Sequence, residues 1–253
     1  MQPVTKGIYR LRLADSAADL MAAQRLRYLA FHGGADTGAE PGLETGLDRD
    51  AFDSICTHAM VEDLRSGQLV CCFRMLDLGD GRQIGRSYAA QFYDLTALTR
   101  FAGPMIEIGR FCIHPDHHDP DILRLAWAAL TCHVDAQGIE MMFGCSSFRG
   151  VDQSRYLDAF ALLKDNHLAP PDWLPGIKAP QVYAFGAQVT RAPDKRRAMQ
   201  AMPPLLRTYL MMGGWVSDHA VIDPQMNTLH VFTGLEIRAI PEARKRLLRA
   251  VMA

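Results

Sequence analysis

A carboxylate and a guanidinium interrupt an otherwise apolar run in Met105-Ile106-Glu107-Ile108-Gly109-Arg110-Phe111-Cys112-Ile113-His114-Pro115. Ile106, Ile108 and the run Phe111, Cys112, Ile113 read as a buried strand, with the two charges at its middle. A carboxylate there loses its hydration unless it is paired, hydrogen-bonded or raised in pKa, and an acid raised towards neutrality suits a general base. Gly109 marks either a bulge or a close approach of another backbone or a ligand. In a regular strand Arg110 falls on the face opposite Glu107; a bulge at Gly109 brings it round.

Further charged groups stand where they need an explanation. Arg27 lies near the end of a helical pattern, Arg74 inside a strand pattern, and Asp48, Asp50 and Asp53 surround Phe52 at the close of a Gly-rich stretch. Each has a plain alternative. Glu107 and Arg110 can form a structural ion pair, Arg27 and Arg74 can be surface or cap residues, and Asp50 and Asp53 can serve as loop and helix-cap residues. His114, His117 and His118 resemble a metal cluster, but histidines grouped on a polar loop are usually solvated. Tyr156 offers a proton to a leaving group or simply packs. The basic runs Lys195-Arg196-Arg197 and 244–249 read as solvated faces, as docking patches for an acidic partner, or as contacts with anionic lipid.

Composition narrows the classes. The 253 residues are 49% apolar and 22% charged, with a net charge of −1, which suits a globular core and argues against a general nucleic-acid binder. Six cysteines (56, 71, 72, 112, 132 and 145) lie in apolar surroundings without CxxC spacing, so reduced core thiols in a cytoplasmic protein are expected. Residues 1–14 hold no signal-peptide core, and no run approaches the ~20 apolar residues of a membrane span. Contact with a membrane, if any, is expected to be peripheral, at its inner face.

The elements that must position these groups follow from periodicity. Residues 8–13 alternate as a strand, and Asp15 or Ser16 caps a helix reaching Phe31. Residues 32–50 form a long functional or disordered loop. Residues 58–62 and 69–76 form an antiparallel hairpin around Arg65-Ser66-Gly67, and 93–100 a short helix. After the Glu107 strand, a helix over 121–137 ends at Gly138 and leads to a strand over 139–145. Strand, helix and strand at this spacing make a crossover with the two strands parallel and adjacent. A helix over 154–163, a strand over 181–188, a helix opened by Lys195 and running on beyond Pro203-Pro204 to about Met212, a strand over 228–237 and a terminal helix over 241–252 complete the chain. There is no internal repeat.

The series Arg27-xxx-Phe31, Asp50-x-Phe52-Asp53, Arg74 and Glu107-x-Gly-Arg110-Phe111 resembles the acyl-homoserine-lactone synthases and their relatives in the GNAT superfamily. The continuation through Cys112-Ile113-His114-Pro115, Pro203-Pro204-Leu205-Leu206-Arg207-x-Tyr209 and residues 223–232 is more similar to bacterial L-ornithine Nα-acyltransferases. The resemblance covers residues 10–240. It implies one α/β GNAT-like (acyl-CoA N-acyltransferase) domain over 1–253: a mixed central sheet with splayed parallel strands, flanked by helices, and a family-specific part from about residue 190.

The resemblance also implies a reaction: a 3-hydroxyacyl chain passes from acyl carrier protein to the α-amine of ornithine, giving lyso-ornithine lipid. Glu107 and Arg110 are then catalytic, and Arg27, Phe31, Asp50, Asp53, Arg74, Cys145 and Ser146 bind substrate. No resident cofactor or metal is implied, since the phosphopantetheine belongs to the donor. Asp50 and Asp53 either receive the ornithine side chain or fold the loop over the site, and Arg110 either holds a substrate carboxylate or organises the aspartates. Two departures refine this. The loop at 114–121 lacks the glycines that cradle a coenzyme A diphosphate and carries Asp116, Asp119 and Asp121, which repel one. Gly33 and Gly34 stand where signal synthases place a tryptophan, which counts against homoserine-lactone formation. The remaining alternatives are an acyl-homoserine-lactone or other N-acyl amino acid synthase, and a non-catalytic module binding carrier protein or lipid.

Overall fold

The computed structural model describes residues 2–33 and 46–250; Gly34, Gly38 and Gly42 of the expected long loop lie outside them. In chain order the strands are β1 (Val4–Lys6), β2 (Tyr9–Leu13), β3 (Thr57–Asp63), β4 (Leu69–Leu78), β5 (Tyr93–Asp94), β6 (Met105–Ile113), β7 (Met141–Arg149), β8 (Gly176–Ile177), β9 (Val182–Tyr183), β10 (Trp215–Asp223) and β11 (Thr228–Glu236). The helices are α1 (Ala17–His32), α2 (Pro120–Gln137), α3 (Leu157–Asn166), α4 (Phe185–Gln188), α5 (Lys195–Ala201), α6 (Pro204–Met211) and α7 (Glu242–Ala250). Contacts divide the chain into two compact units. The first draws on Met1–Asp77, Ile108–Gly138 and Glu242–Ala253, the second on Leu78–Glu107 and Ile139–Pro241.

In the first unit β1, β2, β3 and β4 follow one another as antiparallel neighbours, and residues 108–113 of β6 come next in the order. The helix α1 starts where Ser16 accepts the Asp19 amide at 3.2 Å and stops at Gly33, whose φ of 66° only glycine adopts without strain. Its buried Ala23 and Leu26 pack on Cys72 and Cys112, with Phe31 at the margin. Asp119 caps α2, Pro120 fills its first turn, and Gly138 at φ 60° ends it. On its outer side Asp135 takes both arms of Arg249 from α7 at 2.9 Å.

In the second unit residues 105–107 of β6 lie parallel to β7, with Glu107 opposite Phe143, as the crossover spacing predicted. β11 pairs antiparallel with β7 from Thr228↔Arg149 to Glu236↔Met141, and β10 and β9 continue the order. One face carries Leu229, Val231, Phe148 and Val216, packed against Phe160 of α3, Phe185 of α4, Ala198 of α5 and Leu206 of α6. The other stacks Phe143 on Phe232 at 5.7 Å and Phe232 on Trp215 at 5.8 Å. Gly234 makes that stack possible: a Cβ there would sit 2.4 Å from the indole.

Several expectations change. The strand expected over 181–188 is confined to Val182–Tyr183 before α4, and the helix expected over 93–100 is a two-residue strand followed by a 3-10 turn, Thr96–Arg100. The helix opened by Lys195 breaks into α5 and α6, because Pro203 and Pro204 remove two amide donors and fix the entry to a new first turn. β1 and β10 have no counterpart among the expected elements. β10 hides because its register shifts between Val216 and Ala220, which destroys the two-residue period. Ser217 repairs the irregularity, accepting the Phe232 amide at 3.1 Å and donating to the His219 carbonyl at 2.7 Å.

Candidate active site

In the first unit five of the expected residues, Arg27, Asp50, Asp53, Arg74 and Arg110, belong to one buried ion cluster. Arg27 is 1% exposed and grips Asp53 with two parallel hydrogen bonds of 2.7 and 2.9 Å; its guanidinium also reaches the Asp48 carbonyl, and its Nε lies 3.4 Å from Asp48 Oδ2. Arg74 forks onto Asp50, with Nη2 at 2.8 Å, and touches Asp53 at 3.1 Å beneath the Phe52 ring. Arg110 closes the set through Asp48 at 3.1 Å and Asp50 at 3.2 Å. Gln24 donates to Asp53 at 2.9 Å, and His58 Nε2 lies 3.0 Å from the Asp53 carbonyl. Three guanidinium groups thus face three carboxylates. Bidentate, desolvated pairs of this kind are rigid, and breaking one strands a buried charge.

The electrostatics follow. Burial alone would raise Asp53, but the hydrogen bonds and charge of Arg27, with Gln24 and Arg74, bring it down to about 2. Asp50 shifts down for the same balance of reasons, burial opposing Arg74 and Arg110. Burial pushes the His58 imidazole down despite its contact with Asp53. Asp50 also caps the 3-10 turn Ala51–Ser54 through the Phe52 amide, so the loop-and-cap reading and the cluster reading both hold for it. Arg27 and Arg74, by contrast, are interior residues.

The expected bulge takes a specific form. Arg110 itself has φ 50°, the left-handed region, while Gly109 does not; a Cβ on Gly109 would meet the Arg74 side chain at 3.4 Å. A non-glycine residue in that conformation costs about 1–2 kcal/mol. Its guanidinium pairs with Asp48 and Asp50, so the left-handed residue and the aspartates belong to one cluster.

In the second unit Glu107 is 4% exposed, and each carboxylate oxygen accepts a backbone amide: Tyr88 N at 2.7 Å and Ala89 N at 2.8 Å. These donors sit in the turn 87–89, which Ser87 fastens by donating to the Ile84 carbonyl at 2.6 Å. Hydrogen bonding is thus one of the ways in which the burial of Glu107 is compensated. Its strand partner Phe143 shares its face, as do Cys145 and Phe232 along β7 and β11. Ser146 points to the other face and accepts the Thr233 hydroxyl at 2.9 Å.

One group of residues escaped the sequence reading. Tyr93 donates to the His230 carbonyl at 2.8 Å and meets His230 Nδ1 at 3.0 Å, and its ring lies 5.3 Å from that of His219. Tyr93 has a single proton, so His230 Nδ1 carries the hydrogen and Nε2 is left as an acceptor. The Nε2 atoms of His219 and His230 are buried without a hydrogen-bond partner among the described residues. Burial, reinforced by His219, brings His230 down to about 4. The only signal in sequence would have been two histidines in adjacent apolar runs.

Other expectations resolve locally. The Tyr156 hydroxyl donates to the Arg149 carbonyl at 2.5 Å and its ring packs on Phe148, which is the packing alternative. His114 and His117 share Gln68, and no group able to hold a metal ion occurs among the described residues.

Similarity to known proteins runs the length of the chain. Residues 26–128 match the acetyltransferase (GNAT) domain family. The L-ornithine N(alpha)-acyltransferase of Rhodobacter capsulatus is 35% identical over 245 residues, spanning 94% of this chain and 93% of that protein. Its counterpart from Brucella abortus is 31% identical, spanning 92% and 86%. Among solved structures, FeeM, an N-acyl amino acid synthase from uncultured soil microbes, shares the fold with a TM-score of 0.51 at 10% identity, spanning 91% of this chain and 92% of that one. With a relative this similar over nearly its whole length, the chain belongs to the L-ornithine N(alpha)-acyltransferase family, on a GNAT-like fold.

Proposed function

We propose that this acyltransferase moves a 3-hydroxyacyl chain from an acyl carrier protein thioester to the α-amine of L-ornithine, forming lyso-ornithine lipid. The observation that carries the chemistry is Glu107, a buried carboxylate fixed by two amides on the strand paired in parallel with β7. An α-ammonium with a pKa of about 8 must lose a proton before it can attack, and Glu107 takes that proton directly or through a water. The neutral nitrogen adds to the thioester carbonyl. Collapse breaks the carbon–sulfur bond, and the second nitrogen proton leaves with the thiolate as carrier-borne thiol.

The balanced aspartates support an organising role for Asp50 and Asp53 rather than capture of the ornithine side chain. Phe31 and Cys145 remain assigned to substrate contact, whereas Ser146 lies on the face opposite Glu107 and is engaged by Thr233. The donor supplies its own phosphopantetheine, and no resident cofactor is needed. Among the described residues no helix is long and apolar enough to cross a membrane. The proposed place of action is the cytoplasm, with peripheral access to the inner membrane face for a lipid product.

Mass spectrometry of the purified protein incubated with 3-hydroxyacyl carrier protein and L-ornithine tests the proposal. The expected product is the Nα-amide with release of free carrier thiol. Methylthioadenosine release from S-adenosylmethionine would instead identify a signal synthase, and binding without any amide product a non-catalytic module.

A further inference from the structure

The second unit carries a recess whose wall is strongly cationic. It measures about 530 Å³ and is lined by Arg155, Arg191 and Arg197 with Leu157, Asp158 and Gln200. Asp158 is already engaged, accepting from Arg191 at 2.7 Å and from the Asp194 amide at 3.0 Å. Arg197 stays 74% exposed, and its ion pair to Asp194, within its own helix turn, is a loose one at 3.6 Å. The wall therefore keeps an excess of positive charge, although the whole chain carries −1. Leu157, Ala159 and Ala201 give the wall its apolar part.

Its place in the unit matters as much as its charge. The turn Gln153–Tyr156, which supplies Arg155, follows the carboxyl end of β7 through Gly150 at φ 83°. The Tyr156 hydroxyl ties that turn to the last residue of the strand, Arg149. β7 is the parallel partner of the strand bearing Glu107, and in α/β sheets ligands enter at the carboxyl ends of parallel strands. A concave cationic wall with an apolar contact fits a protruding acidic helix better than a flat bilayer, which would touch the rim alone.

We propose that this recess, with Arg155, Arg191 and Arg197 as its charged wall, docks the acidic carrier domain that presents the acyl thioester. The assignment rests on the carrier-protein reading of the donor. It is tested with R155E/R197E and the milder R155Q/R197Q, both checked for an unchanged thermal melt, using one acyl group carried either by acyl carrier protein or by pantetheine alone. The expected result is a rise of tenfold or more in KM for the carrier-borne donor, with loss of its salt dependence, and kcat/KM for the pantetheine thioester within twofold of wild type. Carrier protein with acidic residues changed to lysine should recover part of the loss against R155E/R197E. A wild-type preference for the carrier-borne donor that survives charge reversal overturns the docking surface alone. Equal kcat/KM for the two donors in the wild type overturns the carrier reading, and the docking surface with it. Loss of binding to vesicles of phosphatidylglycerol, with carrier KM unchanged, reassigns the recess to lipid.

Discussion

Asp53 and Glu107 are both buried carboxylates, and they are held in opposite ways. Asp53 lies in the first unit among guanidinium groups, with Arg27 forked onto it and Arg74 beside it. Glu107 lies in the second unit and is held by the amides of Tyr88 and Ala89, which carry no charge of their own. Counter-ions fix geometry and bind a carboxylate's charge to them; amides solvate the charge without neutralising it. The first arrangement locks its carboxylate to named cations; the second favours the ionised carboxylate through amide donors, the state in which a base begins.

The sharpest way to break that contrast is Glu107→Gln. Loss of a general base typically costs 10²–10⁴-fold, and kcat should fall within that range with the acidic limb of the pH–rate profile removed. The variant should also melt earlier, because one amide donor would then face an NH₂ group instead of an acceptor, at about 1–3 kcal/mol. Wild-type turnover in this variant would remove Glu107 from the chemistry.

Next in size is Asp53→Asn, which leaves the Arg27 charge buried and poorly paired. Urea unfolding should show about 3–5 kcal/mol of lost stability. Adding Arg27→Met should recover part of it, the behaviour of a structural pair, whereas no second substitution should restore an acid that does chemistry.

The buried histidines and Asp53 should also separate by pH. His230 is held near 4 in the folded protein against an ordinary value of 6.5, so acid protonates the unfolded chain first. That term is absent above pH 6.5, and grows to about 3 kcal/mol of lost stability as pH falls to 4. His58 and His167, both shifted down by burial, add to the same window. Asp53 has its folded value near 2 against 3.8, so its contribution is intact above pH 3.8 and disappears between about 3.8 and 2. Denaturant titrations across pH should find the slope of stability against pH reduced for His230→Phe between 6.5 and 4, and for Asp53→Asn, beyond its loss at every pH, only between about 3.8 and 2.

How much of this could be read in advance depended on range. Ser16, Gly33, Asp119 and Gly138 signal helix ends through local hydrogen bonds and local φ, so α1 and α2 were legible almost to the residue. Glu107 stood out because a charge inside an apolar strand has few local explanations. The partners of Asp48 could not be read, since its place between Arg27 and Arg110 exists only after α1, the 48–53 segment and β6 have met. The amides that hold Glu107 belong to a turn some twenty residues away, and backbone donors leave no mark in a sequence. Tyr93, His219 and His230 were missed for the same reason, and because the irregularity at Ser217 erased the strand that carries His219.

The smallest expected effect isolates the strain at Arg110. Both Arg110→Ala and Arg110→Gly lose the ion pairs to Asp48 and Asp50, so that loss cancels when the two are compared. In a regular strand alanine would be the more stable by about 0.5–1 kcal/mol, because glycine surrenders more backbone freedom on folding. At φ 50° the order should reverse, with glycine the more stable by about 1 kcal/mol, since it alone adopts the left-handed region without strain. Alanine above glycine in chemical unfolding would mean that the strand relaxes to a regular course once the guanidinium is gone. The aspartates would then be holding the backbone out of its preferred shape through Arg110, and the left-handed turn beside Glu107 would be a consequence of the charged cluster rather than of the strand.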